Sequence, residues 1–291
     1  MNITIKTFGW KNSILDQISR INEGLKINGC SFVEKSPDII YSNNDMYDDI
    51  LEYAENQEKK PFIILNVLDL QISNPTYNLS KVKDQLSKAD AITCISKTVQ
   101  KQIKETLNLE AKVIYNPIKE VSYDAKIGKS ITFFYVGRAN DSRKRFSLIK
   151  EAFSEYSDIH SNLVVCGSEN PNFGYYTGIV DDEDLNLLYN SSKFLLFPSK
   201  FEGLGLPMIE AMVAGCIPIT CSDNPTAIEF SPEEFISEPD PDNFIKKIIE
   251  INKKYSDFQK IALNYGSKYL NLMNKKVVAQ NIINIYQENK K

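Results

Sequence analysis

The residues best suited to chemistry in this chain lie between Phe197 and Cys216, in the string FPSKFEGLGLPMIEAMVAGC. Two carboxylates, Glu202 and Glu210, are separated by seven residues that include Gly203, Leu204, Gly205 and Pro207. An apolar run, Phe194 to Phe197, leads into the loop and a helical pattern leaves it, so the stretch reads as strand, loop, helix. Pro207 suits a first helical turn, where its missing N-H costs nothing and its fixed φ is already helical. Gly203 and Gly205 let the backbone approach a ligand closely. The amides at the helix start, with the positive end of its dipole, form a cradle for an anion, most often phosphate. The two carboxylates suit hydroxyl groups, so the local expectation is a phosphate flanked by hydroxyl-binding acids. Read piecemeal, the same string is a common Gly-x-Gly followed by a well-packed helix start.

Charge usage adds a second cluster. Of 34 basic residues only four are arginine, and three of those, Arg138, Arg143 and Arg145, fall within eight positions beside Lys144. The planar fork of arginine suits phosphate and carboxylate better than the point charge of lysine does. These residues follow Val136-Gly137 at the end of an apolar run, which places them in a loop after a strand.

Composition narrows the field around these two clusters. The chain has 291 residues, 42% of them hydrophobic and 25% charged, enough for two domains of ordinary size with a core each. A net charge of -4 argues against a general nucleic-acid binder. No apolar run approaches the roughly 20 residues that span a bilayer. The start, MNITIKTFGW, reads as a first strand, without the layout of a signal peptide, and the expected location is cytoplasmic. Five scattered cysteines without a C-x-x-C pair read as free thiols. A single histidine, His160, excludes multi-histidine metal centres, and its setting in SDIHSN reads as a surface loop.

The elements that must carry the clusters follow a βαβ rhythm. Strands are expected at 2–8, 38–41, 61–67, 91–95 and 111–115, with helices at 13–27, 46–58, 81–88 and 97–107 between them. A polar stretch with Pro and Gly from Pro117 to Lys129 reads as a boundary, after which the pattern restarts. Strands at 130–136, 162–166, 194–197 and 217–221 then alternate with helices at 144–156, 182–190 and 207–214, and three helices close the chain at 242–254, 257–270 and 275–288. The fold class is therefore α/β, with two open and mostly parallel sheets, in domains spanning about 1–118 and 130–274.

Glu202-Gly-Leu-Gly-Leu-Pro-Met-Ile-Glu210 resembles the E-x7-E signature of retaining GT-B glycosyltransferases, and most closely that of family 4. Val136-Gly137-Arg138 with Lys144 resembles that family's G-R…K element. The resemblance covers most of the C-terminal half, with weaker likeness at Asn116-Pro117 and Asp90 to Ser96. It implies two Rossmann-like domains facing across a cleft, the last helix, about 275–291, returning to the first domain. It implies an EC 2.4 hexosyltransferase that takes a sugar from a nucleotide diphosphate donor, UDP- or GDP-linked, with no metal and no further cofactor. Arg138 and Lys144 would hold the diphosphate, because fixed cations lower the barrier to releasing it. Glu202 would contact the donor sugar and Glu210 the ribose, with the amides of Gly203, Leu204 and Gly205 at the phosphates or sugar. Gly9 and Gly137 resemble glycines facing the donor, while Gly167 and Gly178-Ile179-Val180 resemble segments around the nucleobase, with Val180 lining it.

The acceptor is less defined, with a glycan, a lipid-linked sugar and a small molecule all open. Where relatives carry a His after the strand at 61–67 this chain has Leu68-Asp69, so Asp69 either takes part of that role or caps the next segment. The first half is also short for the family, which implies a pared-down acceptor side. Lys97, Lys101 and Lys104 form a stripe that suits either solvent or the anionic surface of a membrane. Rivals with the same fold are a nucleotide-sugar hydrolase or epimerase and a binding module without catalysis. Paired carboxylates also serve glycoside hydrolases, whose neutral substrates would not need Arg138 and Lys144. A dinucleotide-dependent dehydrogenase is disfavoured by the lack of G-x-G-x-x-G after either first strand.

Overall fold

The computed structural model describes residues 3–8, 15–43, 46–70, 78–154 and 159–290, with backbone alone for 15–16 and 159–160. Gly9 and Trp10 therefore lie outside the described residues. Two compact units emerge, one of residues Met1–Pro117 with Leu272–Lys291, the other of Ile118–Asn271.

The first unit holds a six-stranded parallel sheet of β1 (Thr4–Thr7), β2 (Ser31–Phe32), β3 (Ile39–Asn43), β4 (Phe62–Val67), β5 (Ala91–Cys94) and β6 (Lys112–Val113), in the order β2-β1-β3-β4-β5-β6. All five residues of β3 are buried, the pattern of a sheet covered on both faces. The closing helix Lys275–Asn289 belongs to this unit and lies against the helix Leu15–Ile27. Ile21 and Leu25 of the earlier helix form one core with Ile5, Ile39, Ala279 and Ile282. Gly24 makes that approach feasible: a Cβ there would stand 2.1 Å from the carbonyl oxygen of Lys275.

The second unit repeats the architecture with β7 (Ile131–Val136), β8 (Leu163–Cys166), β9 (Tyr175–Gly178), β10 (Ser192–Leu196), β11 (Ile217–Cys221) and β12 (Ile236–Ser237), ordered β12-β11-β10-β7-β8-β9. Every pairing is parallel. From β7 the chain steps outward through β8 and β9, then returns to β10 on the other side of β7 and steps out through β11 and β12. The direction of winding thus reverses between β7 and β10, and at such a point the loops after the two central strands part to opposite faces and leave a crevice. The residues from Ile118 to Lys129 are part of this unit, fastened by Ser122 N-H to Asn186 Oδ1 at 3.1 Å and Asp124 N-H to Asn190 Oδ1 at 2.8 Å.

Several local expectations change. The helix expected from Lys144 begins at Phe146, because Ser142–Lys144 forms a 3-10 turn and Arg145 is left-handed at φ 50°. His160 lies on the short helix Ile159–Asn162, not in a loop. The helix at 97–107 is α-helical over Lys97–Gln102 and widens into a π turn over Ile103–Leu107. On its surface Lys101 faces Glu105 and Lys104 pairs with Glu110, so acids interrupt the basic stripe. The short strands β2, β9 and β12 and the helix Pro225–Phe230 carry no periodic signal long enough to read. The five cysteines are buried free thiols. Among the described residues no helix is long and apolar enough to cross a membrane.

The Gly24 contact gives a test. Gly24→Val should lower stability by about 1–3 kcal/mol or more through overpacking, whereas Gly128→Ala, with open space around its Cα, should stay within about 0.5 kcal/mol. Urea denaturation of both variants measures the difference.

Candidate active site

Past the carboxyl ends of β7 and β10 stand two loops, one at 137–145, which leaves β7, and one at 197–205, which leaves β10. The first is forced close to its neighbour. Gly137 N-H donates to Cys166 O at 3.0 Å, and a Cβ on Gly167 would stand 2.1 Å from the carbonyl oxygen of Gly137. Only a glycine fits at 167, so the ends of β7 and β8 lie backbone to backbone. Gly167 N-H in turn donates to Gly178 O at 3.0 Å, and Val180, half-buried, follows two residues past the end of β9.

Asp141 organises the loop after β7. Its carboxylate accepts from Arg138 Nη2 at 2.8 Å, Arg143 Nη2 at 2.8 Å and Arg143 Nε at 3.1 Å. It also caps the 3-10 turn by accepting Arg143 N-H at 3.0 Å. The bond from the Arg143 side chain, opposed by partial burial, holds the Asp141 carboxyl down at about 2. Under this loop Tyr135 is buried, its hydroxyl donating to Arg138 O at 3.4 Å. Burial pushes the Tyr135 phenol well above its ordinary range, with the charges of Glu202, Asp141 and Glu169 adding to the effect.

The two loops meet at Lys144 and Glu202. Lys144 Nζ donates to Glu202 Oε1 at 2.6 Å, with side chains only 20% and 14% exposed, and the same ammonium lies 5.9 Å from the Phe197 ring centre. Lys200 N-H donates to Arg143 O at 2.8 Å, joining the loops a second time. The segment after β11, a short loop and the helix Pro225–Phe230, braces both. Arg145 Nη2 reaches Asp223 Oδ1 at 3.0 Å and Oδ2 at 2.9 Å, and the buried Thr226 hydroxyl donates to Glu202 O.

Gly205 is the N-cap of the helix Leu206–Val213 in a left-handed conformation, φ 74°, with Pro207 in its first turn and no side chain capping it. Leu204 is buried and Gly203 half-buried behind it. Glu210, one turn further on, is 3% exposed, and its Oε2 accepts from the Tyr189 hydroxyl at 3.1 Å. Burial, with the Glu210 charge second, raises the Tyr189 phenol far above its usual range. Both helices carrying this pair are fixed at their ends by Lys129, whose ammonium donates to Tyr189 O at 3.3 Å and Ala214 O at 3.2 Å. Behind them, a Cβ on Gly266 would stand 2.4 Å from Val213 N, so another helix backs directly onto the helix of Glu210.

The structure thus joins Lys144 to Glu202, places Arg138 on the same loop as Lys144, and seats Glu210 one turn into the helix, bonded to Tyr189. Asp69, in the other unit, is half-buried just past the end of β4. Asp141, Tyr189, Asp223 and Thr226 escape a reading of the sequence, because each acts through a partner distant in the chain or reads as an ordinary surface charge or core residue.

Residues 119–268 match the family described as glycosyl transferases group 1. The chain belongs to that family. The O-antigen chain mannosyltransferase RfbU of Salmonella typhimurium is 26% identical over 213 residues, which cover 65% of this chain and 58% of RfbU. O-antigen chain mannosyltransferase B of Escherichia coli is 37% identical over 84 residues, or 28% of this chain and 22% of that protein. The aligned stretches thus span less than two thirds of either relative. Among solved structures, HepE of Anabaena in complex with UDP superposes with a TM-score of 0.76 at 12% identity, covering 99% of this chain and 100% of that one. The fold is accordingly GT-B.

The depressed Asp141 carboxyl sets an acid limit. Its ordinary value is 3.8 and its folded value about 2, so the stabilisation it lends is complete above pH 3.8 and is lost as pH falls through 2. Asp141→Asn should flatten the dependence of unfolding free energy on pH between about 4 and 2, measured by denaturant titration.

Proposed function

We propose that this chain is a retaining hexosyltransferase, EC 2.4, which moves a sugar from a nucleotide diphosphate donor to an acceptor hydroxyl. The observation that carries this reading is the Lys144–Glu202 pair, a cation and a carboxylate joined at 2.6 Å where the loops of β7 and β10 meet beside a helix start. A sugar nucleotide asks for both groups at once, a cation for its phosphates and an acid for its hydroxyls.

In the proposed reaction the bond between the sugar C1 and the phosphate oxygen breaks, and its electron pair stays with the diphosphate. Lys144, Arg138 and the amides at Gly203 to Gly205 stabilise the charge that gathers there. The acceptor oxygen bonds to C1 on the face the phosphate leaves, and its proton passes to the departing phosphate oxygen. No enzymic base is needed for that proton, so Asp69 has no obligatory part. As Lys144 turns to phosphate, Glu202 is released to the hydroxyls of the donor sugar. Glu210, held by Tyr189, takes the ribose, with Gly167 and Val180 beside the base. Two fixed cations then do the work that a divalent ion does in other transferases.

The relatives named for O-antigen chains favour mannose as the sugar and a glycan as the acceptor. The UDP in HepE keeps a uridine donor in view beside a guanosine one. Five buried free thiols suit the reducing cytoplasm.

The test uses GDP-mannose and UDP-glucose with simple mannosides as acceptors, following product and free sugar. Lys144→Ala and Arg138→Ala should each lower turnover about a hundredfold, the scale of a lost oxyanion contact, while the circular dichroism spectrum is unchanged. Full turnover by Lys144→Ala, or donor hydrolysis with no transfer by the wild type, would overturn the reading.

A further inference from the structure

Arg138 and Lys144, the two cations of the proposed donor site, are not held by the backbone alone. Arg138 is 58% exposed on a loop, and a long side chain so placed loses rotamer freedom whenever it binds, unless something restrains it beforehand. The restraint is visible. One oxygen of Asp141, Oδ2, accepts from Arg138 Nη2 and from Arg143 Nη2, each at 2.8 Å. Two like-charged guanidinium groups are thereby brought to one point, which repulsion would otherwise oppose. The other oxygen, Oδ1, accepts both Nε and the backbone N-H of Arg143, at 3.1 Å and 3.0 Å, which fixes the turn itself. The main chain of Asp141 completes the arrangement: its carbonyl accepts Lys144 N-H at 2.8 Å, and its own N-H donates to Arg138 O at 3.2 Å. Lys144 is followed by Arg145 in a left-handed conformation and anchored to Asp223, so its position is set from both sides.

We infer that Asp141 is a positioning residue for the diphosphate, holding Arg138 and Arg143 together through its carboxylate and placing Lys144 through its backbone. This inference rests on the donor-site reading given above. It also brings Arg143 to the phosphates as a third cation. A carboxylate beside a phosphate site repels the ligand if it acts only as a charge, and helps the ligand if it acts by holding cations in place. The sign of its effect on binding therefore separates the two roles.

The experiment titrates UDP, GDP, uridine and guanosine into the wild type, Asp141→Asn and Lys144→Ala by calorimetry, with the melting temperature of each protein recorded. Asp141→Ser, which can still cap the turn, serves as a second variant if the amide folds poorly. Asp141→Asn should weaken the favoured nucleoside diphosphate at least fivefold and leave its nucleoside within twofold. Unchanged or tighter diphosphate binding overturns the inference, and so does an equal loss for nucleoside and diphosphate with a lowered melting temperature, which marks a structural role. Lys144→Ala distinguishes the levels: diphosphate binding that ignores both substitutions removes the donor-site reading itself, whereas binding that ignores Asp141→Asn alone removes only the positioning role.

Discussion

All strands of the second sheet run in one direction, and that constraint fixes where chemistry can happen. In a parallel sheet the loops that leave the strands must emerge along a single edge. The winding reverses between β7 and β10, the loops leaving these neighbours are bonded to each other, and the segment after β11 braces both. Residues 58 positions apart, Lys144 and Glu202, become partners for no reason of sequence proximity. Glycine supplies the tolerance this crowding needs, since at Gly167 even one carbon would collide with the Gly137 carbonyl.

Each cation of the loop after β7 has a carboxylate partner in advance. Lys144 has Glu202, Arg138 and Arg143 share Asp141, and Arg145 has Asp223. Such pairs, partly exposed, add little to stability, about 0–1 kcal/mol each. Their value lies in order: each cation already points in one direction before a ligand arrives, so less rotamer entropy is lost on binding. A phosphate then exchanges one anionic partner for another instead of neutralising a loose side chain.

Much of this was legible in the sequence where signals are local. The run Phe194 to Phe197, the glycines, Pro207 and the apolar helix pattern each obey short-range rules, and they yield the strand, loop and helix that the structure contains. The clustering of arginines marked the loop after β7 as unusual. Sequence alone starts the next helix at Lys144, two residues early, because nothing in an arginine announces the left-handed backbone at Arg145; Asp223, 78 residues on, supplies that arginine's partner. The bond to Glu210 from Tyr189 is invisible for the same reason: Glu210 stands out in the sequence, but Tyr189, 21 residues before it, looks like an ordinary member of a packed helix. The edge strand β12, of two residues, is too short for any period to register, and β9 buries none of its residues fully, so it carries no apolar pattern.

The return of the helix Lys275–Asn289 to the first unit has a consequence for how the protein comes to be made. The second unit is one uninterrupted stretch, so it has all its parts once Asn271 has left the ribosome. The first unit, although translated earlier, keeps Ile21 and Leu25 uncovered until Ala279 and Ile282 follow. Domains made during synthesis ordinarily mature from the amino end. Here the order is inverted, and the first unit is the one that a chaperone would have to shelter until the helix Lys275–Asn289 has been made.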